Sequence, residues 1–174
     1  MKKYINLEDM TNQNCSNVLN IIQKNGGISR KQITEKTVLS WGGMTKIVNK
    51  LSENGYLTEI KQEHTSKSGR IPSLISVNNE KNFVIGLDIN KTGLRAIVVN
   101  LSGDILKKYA SPIMMKNKDD MLEEIIAFAE NIFCNFEKGQ IIAIGIAMQG
   151  IVDSQNGISV KFPGVDEKLY KKFI

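Results

Sequence analysis

The residues best suited to chemistry in this chain lie between Ile28 and Ser73, where hydrogen-bond donors follow a helical pattern. One face of the predicted helix is apolar, with large side chains at i, i+3, i+4 and i+7: Met44, Ile47, Val48 and Leu51. The opposite face carries four donors: Thr45, Lys46, Asn49 and Lys50. None of these four is acidic. A helix that is apolar on one face and rich in donors on the other suits the major groove of DNA.

A second, shorter helical pattern precedes this one, which predicts a helix-turn-helix. Ser40 is a candidate N-cap of the second helix, because its hydroxyl can accept from the first unpaired amides. The earlier pattern, SRKQITEKTV, begins at Ser29 with Arg30 and Lys31, and we expect Ile33 and Val38 to face inward. The link between the two patterns, residues 38–40, is as short as a helix-turn-helix requires.

A basic hairpin follows the second helix. Asn54-Gly55 predicts the end of that helix, and strands are predicted over Tyr56–Ile60 and Leu74–Val77. The polar tip between them, KQEHTSKSGR, is typical of the wing of a winged helix. Arginine beside glycine in such an arm favours the narrow minor groove. The predicted wing contacts are Lys67, Ser68, Gly69 and Arg70.

Upstream, residues 1–13 are interpreted as an irregular arm. A supporting helix is then predicted from an apolar stripe: Cys15, Val18, Leu19 and Ile22. The Trp41-Gly42-Gly43 run is unusual at the start of a helix. It either brings Trp41 or the backbone close to the phosphates, or it leaves Trp41 packed on the first turn. The predicted major-groove set is Arg30, Ser40, Trp41, Thr45, Lys46, Asn49 and Lys50.

Charge supports an anionic partner for this half. Residues 1–80 hold eleven Lys and Arg against seven Asp and Glu, whereas residues 81–174 hold twelve against eleven. No run of eighteen apolar residues predicts a membrane span, and the N-terminus is not typical of a signal peptide. Cys15 and Cys134 are interpreted as buried free thiols of a protein in the reducing cytoplasm.

After a polar linker over residues 76–81, a strand-rich pattern begins. Strands are predicted over Phe83–Ile89, Leu94–Asn100 and Ile105–Ser111, and a buried strand over Ile141–Met148. A helix is predicted over Asn117–Phe136. Its inward stripe is Met121, Ile125, Phe128 and Ile132, widened by Leu122 and Ala129.

These patterns together resemble a known family. The runs ISRKQITEKTVLS, MTKIVNKLSENGYLTE and SKSGRIPSLISVN resemble the N-terminal domain of the ROK family of repressors and sugar kinases. The runs FVIGLDIN and IIAIGIAMQGIVDSQNG resemble the first half of that family's sugar-kinase-like domain. The resemblance extends from Asn14 to the end of the chain. Because full-length relatives are longer, the chain is interpreted as a truncated product or a fragment.

The resemblance implies an α/β protein overall, with a winged helix-turn-helix DNA-binding domain over 1–78. A partial ribonuclease H-like lobe, of the actin and sugar-kinase type, is implied over 82–174. The implied function is a sequence-specific transcriptional regulator, a repressor of carbohydrate genes, with xylose metabolism as one candidate. Its partners would be a double-stranded DNA operator and other copies in a homo-oligomer. A sugar effector is expected only for a full-length chain, and no membrane, cofactor or enzymatic activity is expected.

In this family the first hairpin carries an Asp-x-Gly-x-Thr pattern that cradles nucleotide phosphate. The corresponding residues here are Asp88, Asn90 and Thr92, so Asn90 replaces the glycine and the loop is interpreted as degenerate. Asp88 is either a functional carboxylate or a solvated turn carboxylate, and the second interpretation is favoured. Gly145, Gly150 and Asp153 resemble the family's glycine-rich turn before the sugar site. Gln149 stands where the family usually has a proline.

Two other functions are weighed against the repressor. The alternative is a ROK-family sugar kinase with an appended helix-turn-helix. Asn90 argues against this alternative, and ATP turnover by the chain would support it. A third possibility is an interaction module whose winged helix binds protein. Steep weakening of binding with salt would favour DNA. The single histidine, His64, lies in the wing without a Cys or carboxylate grouping, so no metal site is predicted.

Overall fold

The computed structural model describes residues 7–60, 73–112 and 118–163. The chain divides between Asn82 and Phe83 into two compact units. Within the described ranges, no helix is both long and apolar enough to cross a membrane.

The first unit is three helices followed by a hairpin. The helices are α1 (Leu7–Asn25), α2 (Arg30–Glu35) and α3 (Trp41–Glu53), and the antiparallel strands are β1 (Leu57–Ile60) and β2 (Leu74–Val77). Reciprocal backbone hydrogen bonds of 2.9 and 2.8 Å join Ile28 to Ile75, so the chain before α2 is fastened to the hairpin. These contacts set the position of the helix-turn-helix relative to the wing strands.

The core of this unit comes from all of its elements. Val18, Ile22, Ile33, Met44 and Val48 are fully buried, and Ile28 and Ile75 nearly so. The predicted stripe of α3 is confirmed, because Met44, Ile47, Val48 and Leu51 are all buried. Burial of each large aliphatic side chain stabilises the fold by roughly 1.5–3 kcal/mol.

Three predictions about this unit are wrong at their edges. Residues 7–13 are helical rather than irregular, since the segment to Asn25 contains neither glycine nor proline. Val38 does not face inward and is fully exposed, because α2 ends at Glu35 and Val38 lies in the turn. The predicted linker begins too early, since Ser76 and Val77 are buried residues of β2.

The second unit is a four-stranded sheet covered on one face by a helix. Its strands are β3 (Phe83–Asn90), β4 (Gly93–Asn100), β5 (Ile105–Ser111) and β6 (Ile141–Met148), ordered β5-β4-β3-β6. The helix α4 (Lys118–Phe133) connects β5 to β6, which is parallel to β3. Alternate residues of β3 are buried, and the predicted α4 stripe of Met121, Ile125, Phe128 and Ile132 is confirmed.

The sheet departs from the predictions at β6 and beyond it. β6 was expected to be buried, but Ile142, Ile144 and Ile146 are 39–46% exposed. In the described sheet β6 is an edge strand, since its one neighbour there is β3. A hairpin of β7 (Ile151–Asp153) and β8 (Ile158–Lys161) was not predicted.

The cysteine prediction is also partly wrong. Cys15 is half-buried and Cys134 is exposed, although both are free thiols. Cys134 follows the last residue of α4, where the apolar periodicity no longer determines which side chains face the sheet.

Candidate nucleic-acid interface

The second helix of the helix-turn-helix, α3, begins at the predicted cap. Ser40 has extended backbone angles (φ −64°, ψ 156°), and its Oγ accepts a hydrogen bond of 3.2 Å from the Gly43 amide. Such a cap stabilises a helix by about 1 kcal/mol. Ser40 therefore fixes where α3 begins, and with it the position of each side chain along the helix.

The face of α3 opposite the core carries exposed, basic and amide side chains. Lys46, Asn49 and Lys50 are all exposed. Among the described residues neither lysine forms an ion pair, so both ammonium groups are available to an anion. Glu53 is also exposed in the last turn, and its carboxylate was left out of the predicted face.

Thr45 does not provide the donor that was expected of it. Its side chain is half-buried, and its Oγ1 is buried with no hydrogen-bond partner among the described residues. The position lies on the flank of α3, between the core stripe and the outward face. A flanking β-branched side chain can turn its hydroxyl toward the protein, which helical periodicity alone does not reveal.

Arg30 is less available than the sequence suggests. Its Nη1 donates to Glu59 Oε1 of β1 at 3.1 Å, and the Arg30 side chain is 30% exposed. The ion pair joins the start of α2 to the wing strand. Lys31 lies within 4.0 Å of Glu35.

The start of α2 is fixed by a capping box. Ser29 Oγ accepts from the Gln32 amide at 3.3 Å, and the Gln32 side chain accepts from the Ser29 amide at 3.0 Å. Both helices of the pair therefore begin at side-chain caps, which fix the residue at which each helix starts.

The first turn of α3 has an unusual composition. Trp41 is 56% exposed, so packing of this side chain on the first turn does not bury it. A Cβ at Gly43 would meet Ser40 Oγ at 3.3 Å, whereas a Cβ at Gly42 would meet nothing within 4 Å. The N-cap therefore explains why glycine is favoured at position 43, since a side chain there would crowd the capping Ser40 Oγ. Within the described part of the chain, no contact requires glycine at position 42, although glycine costs a helix interior about 1 kcal/mol relative to alanine.

The wing is described only in its strands. β1 and β2 pair in register from Leu57 opposite Val77 to Ile60 opposite Leu74. The predicted tip contacts Lys67, Ser68, Gly69 and Arg70, and also His64, lie outside the described residues.

The loop that resembles a phosphate cradle is filled by its own side chains. Asn90 Nδ2 donates to Asp88 Oδ2 at 3.0 Å, and the Thr92 amide and hydroxyl both donate to Asn90 Oδ1. Across from it, Gln149 Oε1 accepts from the Lys91 amide at 3.3 Å. Asp88 is half-buried and bonded rather than a freely solvated carboxylate. The Lys91 and Thr92 amides of this loop therefore already donate to side-chain oxygens.

The residues that resemble the glycine-rich turn extend from β6 into β7, the first strand of the β7–β8 hairpin. Gly150 has a φ of 121°, and a Cβ there would collide with the Lys161 carbonyl. Asp153 Oδ2 accepts from the Asn156 side chain at 2.8 Å, and this hydrogen bond lowers the pKa of the carboxyl. Gly145 lies in β6, opposite Gly86 of β3. Within the described ranges, no group of three or more His, Cys, Asp or Glu could hold a metal ion.

Comparison with known proteins agrees with this geometry. Residues 16–58 match the family described as winged helix-turn-helix DNA-binding. The chain is 28% identical over 152 residues to the xylose repressor of Caldicellulosiruptor bescii, covering 85% of this chain and 38% of the relative. It is 24% identical over 178 residues to the Escherichia coli K12 transcriptional dual regulator NagC, covering 97% of this chain and 43% of NagC. The chain thus spans about two-fifths of the length of these curated relatives.

A solved structure has the same fold. A ROK family transcriptional regulator, a homologue of the Escherichia coli MLC protein, superposes with a TM-score of 0.75 at 22% identity. The match covers 92% of this chain and 41% of that one. The predicted order of a winged helix followed by the first part of an α/β lobe is confirmed at the level of fold.

Proposed function

We propose that this chain, whose residues 16–58 match the winged helix-turn-helix DNA-binding family and whose fold matches that of a ROK family transcriptional regulator, is a sequence-specific DNA-binding repressor. One observation carries the proposal. The outward face of α3 presents Lys46, Asn49 and Lys50 exposed, with no ion pair recorded for either lysine within the described ranges. Basic side chains beside an amide supply phosphate contacts and base-edge contacts from one helix.

The donors divide into two roles. Lys46 and Lys50 neutralise phosphates, which gives affinity for any sequence. Asn49 can form a bidentate pair with adenine, which gives preference for one base pair. Ser40 acts mainly by holding the first turn of α3 in place, and Arg30 joins the interface only in competition with Glu59.

The wing would add a second contact. Arg70 follows Gly69 and precedes Ile71-Pro72 in the sequence, and proline restricts the backbone beside it. Arginine is favoured in narrow, A·T-rich minor grooves. Lys67, Ser68 and Gly69 would complete the wing contact on the neighbouring backbone.

The regulated genes are proposed to be those of carbohydrate use. The similar proteins include the xylose repressor named above and an N-acetylglucosamine repressor of Escherichia coli O6:H1. Winged-helix regulators commonly read two half-sites as dimers, so we propose a homo-oligomer acting on a cytoplasmic DNA operator. The sugar kinase alternative is not favoured, because Asn90 stands in place of the glycine of the resembled phosphate loop and its side chain bonds to Asp88 and Thr92.

Selection of bound fragments from random DNA tests this function. We expect an enriched motif, and binding to it that weakens as salt rises, with log K falling linearly in log salt by about 0.9 per phosphate contact. Recovery of no motif, or an affinity that does not depend on salt, would overturn the proposal. ATP turnover by the purified chain in the presence of sugars would instead support the kinase.

A further inference from the structure

The first turn of α3 holds an apolar surface that the donor face does not explain. Trp41 is the only tryptophan in the chain and is 56% exposed. Tryptophan has a large hydrophobic area that is normally buried, and it is enriched at interfaces. Its exposure in the first turn of α3 therefore indicates a surface that a partner covers.

Helical spacing puts Trp41 beside the predicted base-reading row. Gly42, Lys46 and Asn49 recur at i, i+4 and i+7 and form one row on the outward face, while Trp41 begins the adjacent row with Thr45. A recognition helix presents its N-terminal residues to base edges. Trp41 therefore lies on the flank of the outward face, in the first turn of α3, which is the end that a recognition helix presents to the groove.

Gly42 adds an independent observation. A Cβ there would meet no atom of the described residues within 4 Å, and the φ of Gly42 is not in the left-handed region, so neither their packing nor the backbone geometry requires glycine. Gly43 differs, because its missing Cβ leaves room for the capping Ser40 Oγ. Gly42 follows Trp41 in the same turn, and its open surface allows a partner to approach the backbone of the outward face closely.

We propose that Trp41 reads a thymine through its 5-methyl group, while Gly42 provides the clearance that lets the first turn enter the major groove. The thymine methyl is the one apolar group on the major-groove edges of the base pairs. An exposed indole flanked by donors matches it better than it matches a phosphate, which would face an apolar ring. This inference rests on the proposed function and specifies how one base pair is recognised.

The test uses the full chain and the DNA fragment that it selects. Each thymine of the fragment is replaced in turn by deoxyuridine, which removes only the methyl group. For the wild type we expect one thymine at which the replacement weakens binding about fourfold, the value of one buried methyl-sized group. In Trp41→Ala the same replacement should have no effect. Emission from Trp41, the sole tryptophan, should also become protected from acrylamide when DNA binds.

Gly42→Ala tests the clearance separately. Because the site is open within the chain, we expect an unchanged or higher melting temperature together with at least a tenfold loss of affinity. Lys138→Ala, in a loop of the second unit, is a control that should leave affinity unchanged. The proposal is overturned by a deoxyuridine effect that persists in Trp41→Ala, by no sensitive thymine, by unaltered quenching of bound Trp41, or by full affinity in Gly42→Ala. Failure of the wild type to select any DNA would instead overturn the proposed function itself.

Discussion

The two units differ in how completely each one covers its apolar surface. In the winged helix, the side chains that face inward from α1, α2, α3 and β2 are almost fully buried. In the sheet unit, α4 covers one face of β3 and β4, but Ile97, Ile144, Ile146, Ile151 and Val152 remain 38–59% exposed. The first unit therefore has a closed core of its own, whereas the described part of the second presents an apolar surface to be covered.

The two edges of the larger sheet make the same contrast. β5 carries Lys107 and Lys108, and a register shift interrupts its pairing with β4. Charges and irregularities of this kind discourage further strand pairing. β6, with the sequence IIAIGIAM, has no charge and no proline. One edge is protected and the other is suited to pairing.

The largest expected effect is a difference in stability between a variant of a buried side chain and a variant of an exposed one. Met44→Ala should destabilise the winged helix by about 2–5 kcal/mol, because Met44 is fully buried and its removal leaves a cavity. Ile144→Ala, at 45% exposure, should cost much less. Chemical denaturation of each variant, followed by hydrogen exchange of the two units, measures both. Equal losses of stability in Met44→Ala and Ile144→Ala would contradict the proposed difference in packing between the two units.

Self-association tests the exposed sheet. We expect the chain to associate in a concentration-dependent way, and Ile144→Lys to reduce this because a lysine on an edge strand opposes pairing. Ile97→Lys, on the inner strand β4, is the matched control and should reduce association less. Sedimentation velocity measures all three. A monodisperse wild-type monomer with slow amide exchange across Phe83–Ile89 would contradict the expectation.

For the wing we expect a smaller effect on DNA affinity, and its size should depend on the sequence that flanks the binding site. Arg70→Ala should weaken binding by about 1 kcal/mol more on A·T-flanked than on G·C-flanked sites. Arg70→Lys should restore only part of the loss, because ammonium is more strongly hydrated than guanidinium. Gel shifts on paired duplexes measure the difference. Equal losses on both flanks would reduce Arg70 to a phosphate contact.

Sugars can be added to the same gel shifts. We expect monosaccharides to leave binding by this chain unchanged. Release of the DNA by a sugar would show that the 174 residues already hold an effector site.

The smallest effect concerns the pair that joins α2 to the wing. Glu59→Gln should change the free energy of unfolding by under about 1 kcal/mol, since both side chains of the pair are partly exposed. It should strengthen DNA binding slightly, because Arg30 is released and one acidic charge is removed. Calorimetry and DNA titration measure the two quantities. Weaker DNA binding would indicate that Glu59 is needed to orient Arg30.

Local signals predicted most of the elements correctly. The Ser40 cap, the α3 stripe and the strands β2, β5 and β6 follow from capping chemistry and periodicity, which act over a few residues. Val38 was misplaced because the end of α2 at Glu35 has no glycine or proline to mark it. The exposure of β6 was missed because an apolar run does not reveal what covers it.

The exposure of the candidate site residues was predictable in outline and less so in detail. The sequence identifies the donors of α3, but the buried hydroxyl of Thr45 and the pairing of Arg30 with Glu59 depend on tertiary contacts. The β7–β8 hairpin could have been found from Asn156-Gly157, a turn signal between two short apolar runs. Gly42 and Gly43 look alike in sequence, and the structure alone separates their roles.

The central claim, that the outward face of α3 binds DNA, is tested most directly by comparing three variants on a selected and an unrelated duplex. Lys46→Glu should weaken binding to both, while Asn49→Ala should lose about 1–3 kcal/mol on the selected duplex alone. Lys138→Glu makes the same charge change in the second unit and should have little effect on either duplex. Equal losses for Lys46→Glu and Lys138→Glu, or equal losses on both duplexes for Asn49→Ala, would contradict the assignment of this face.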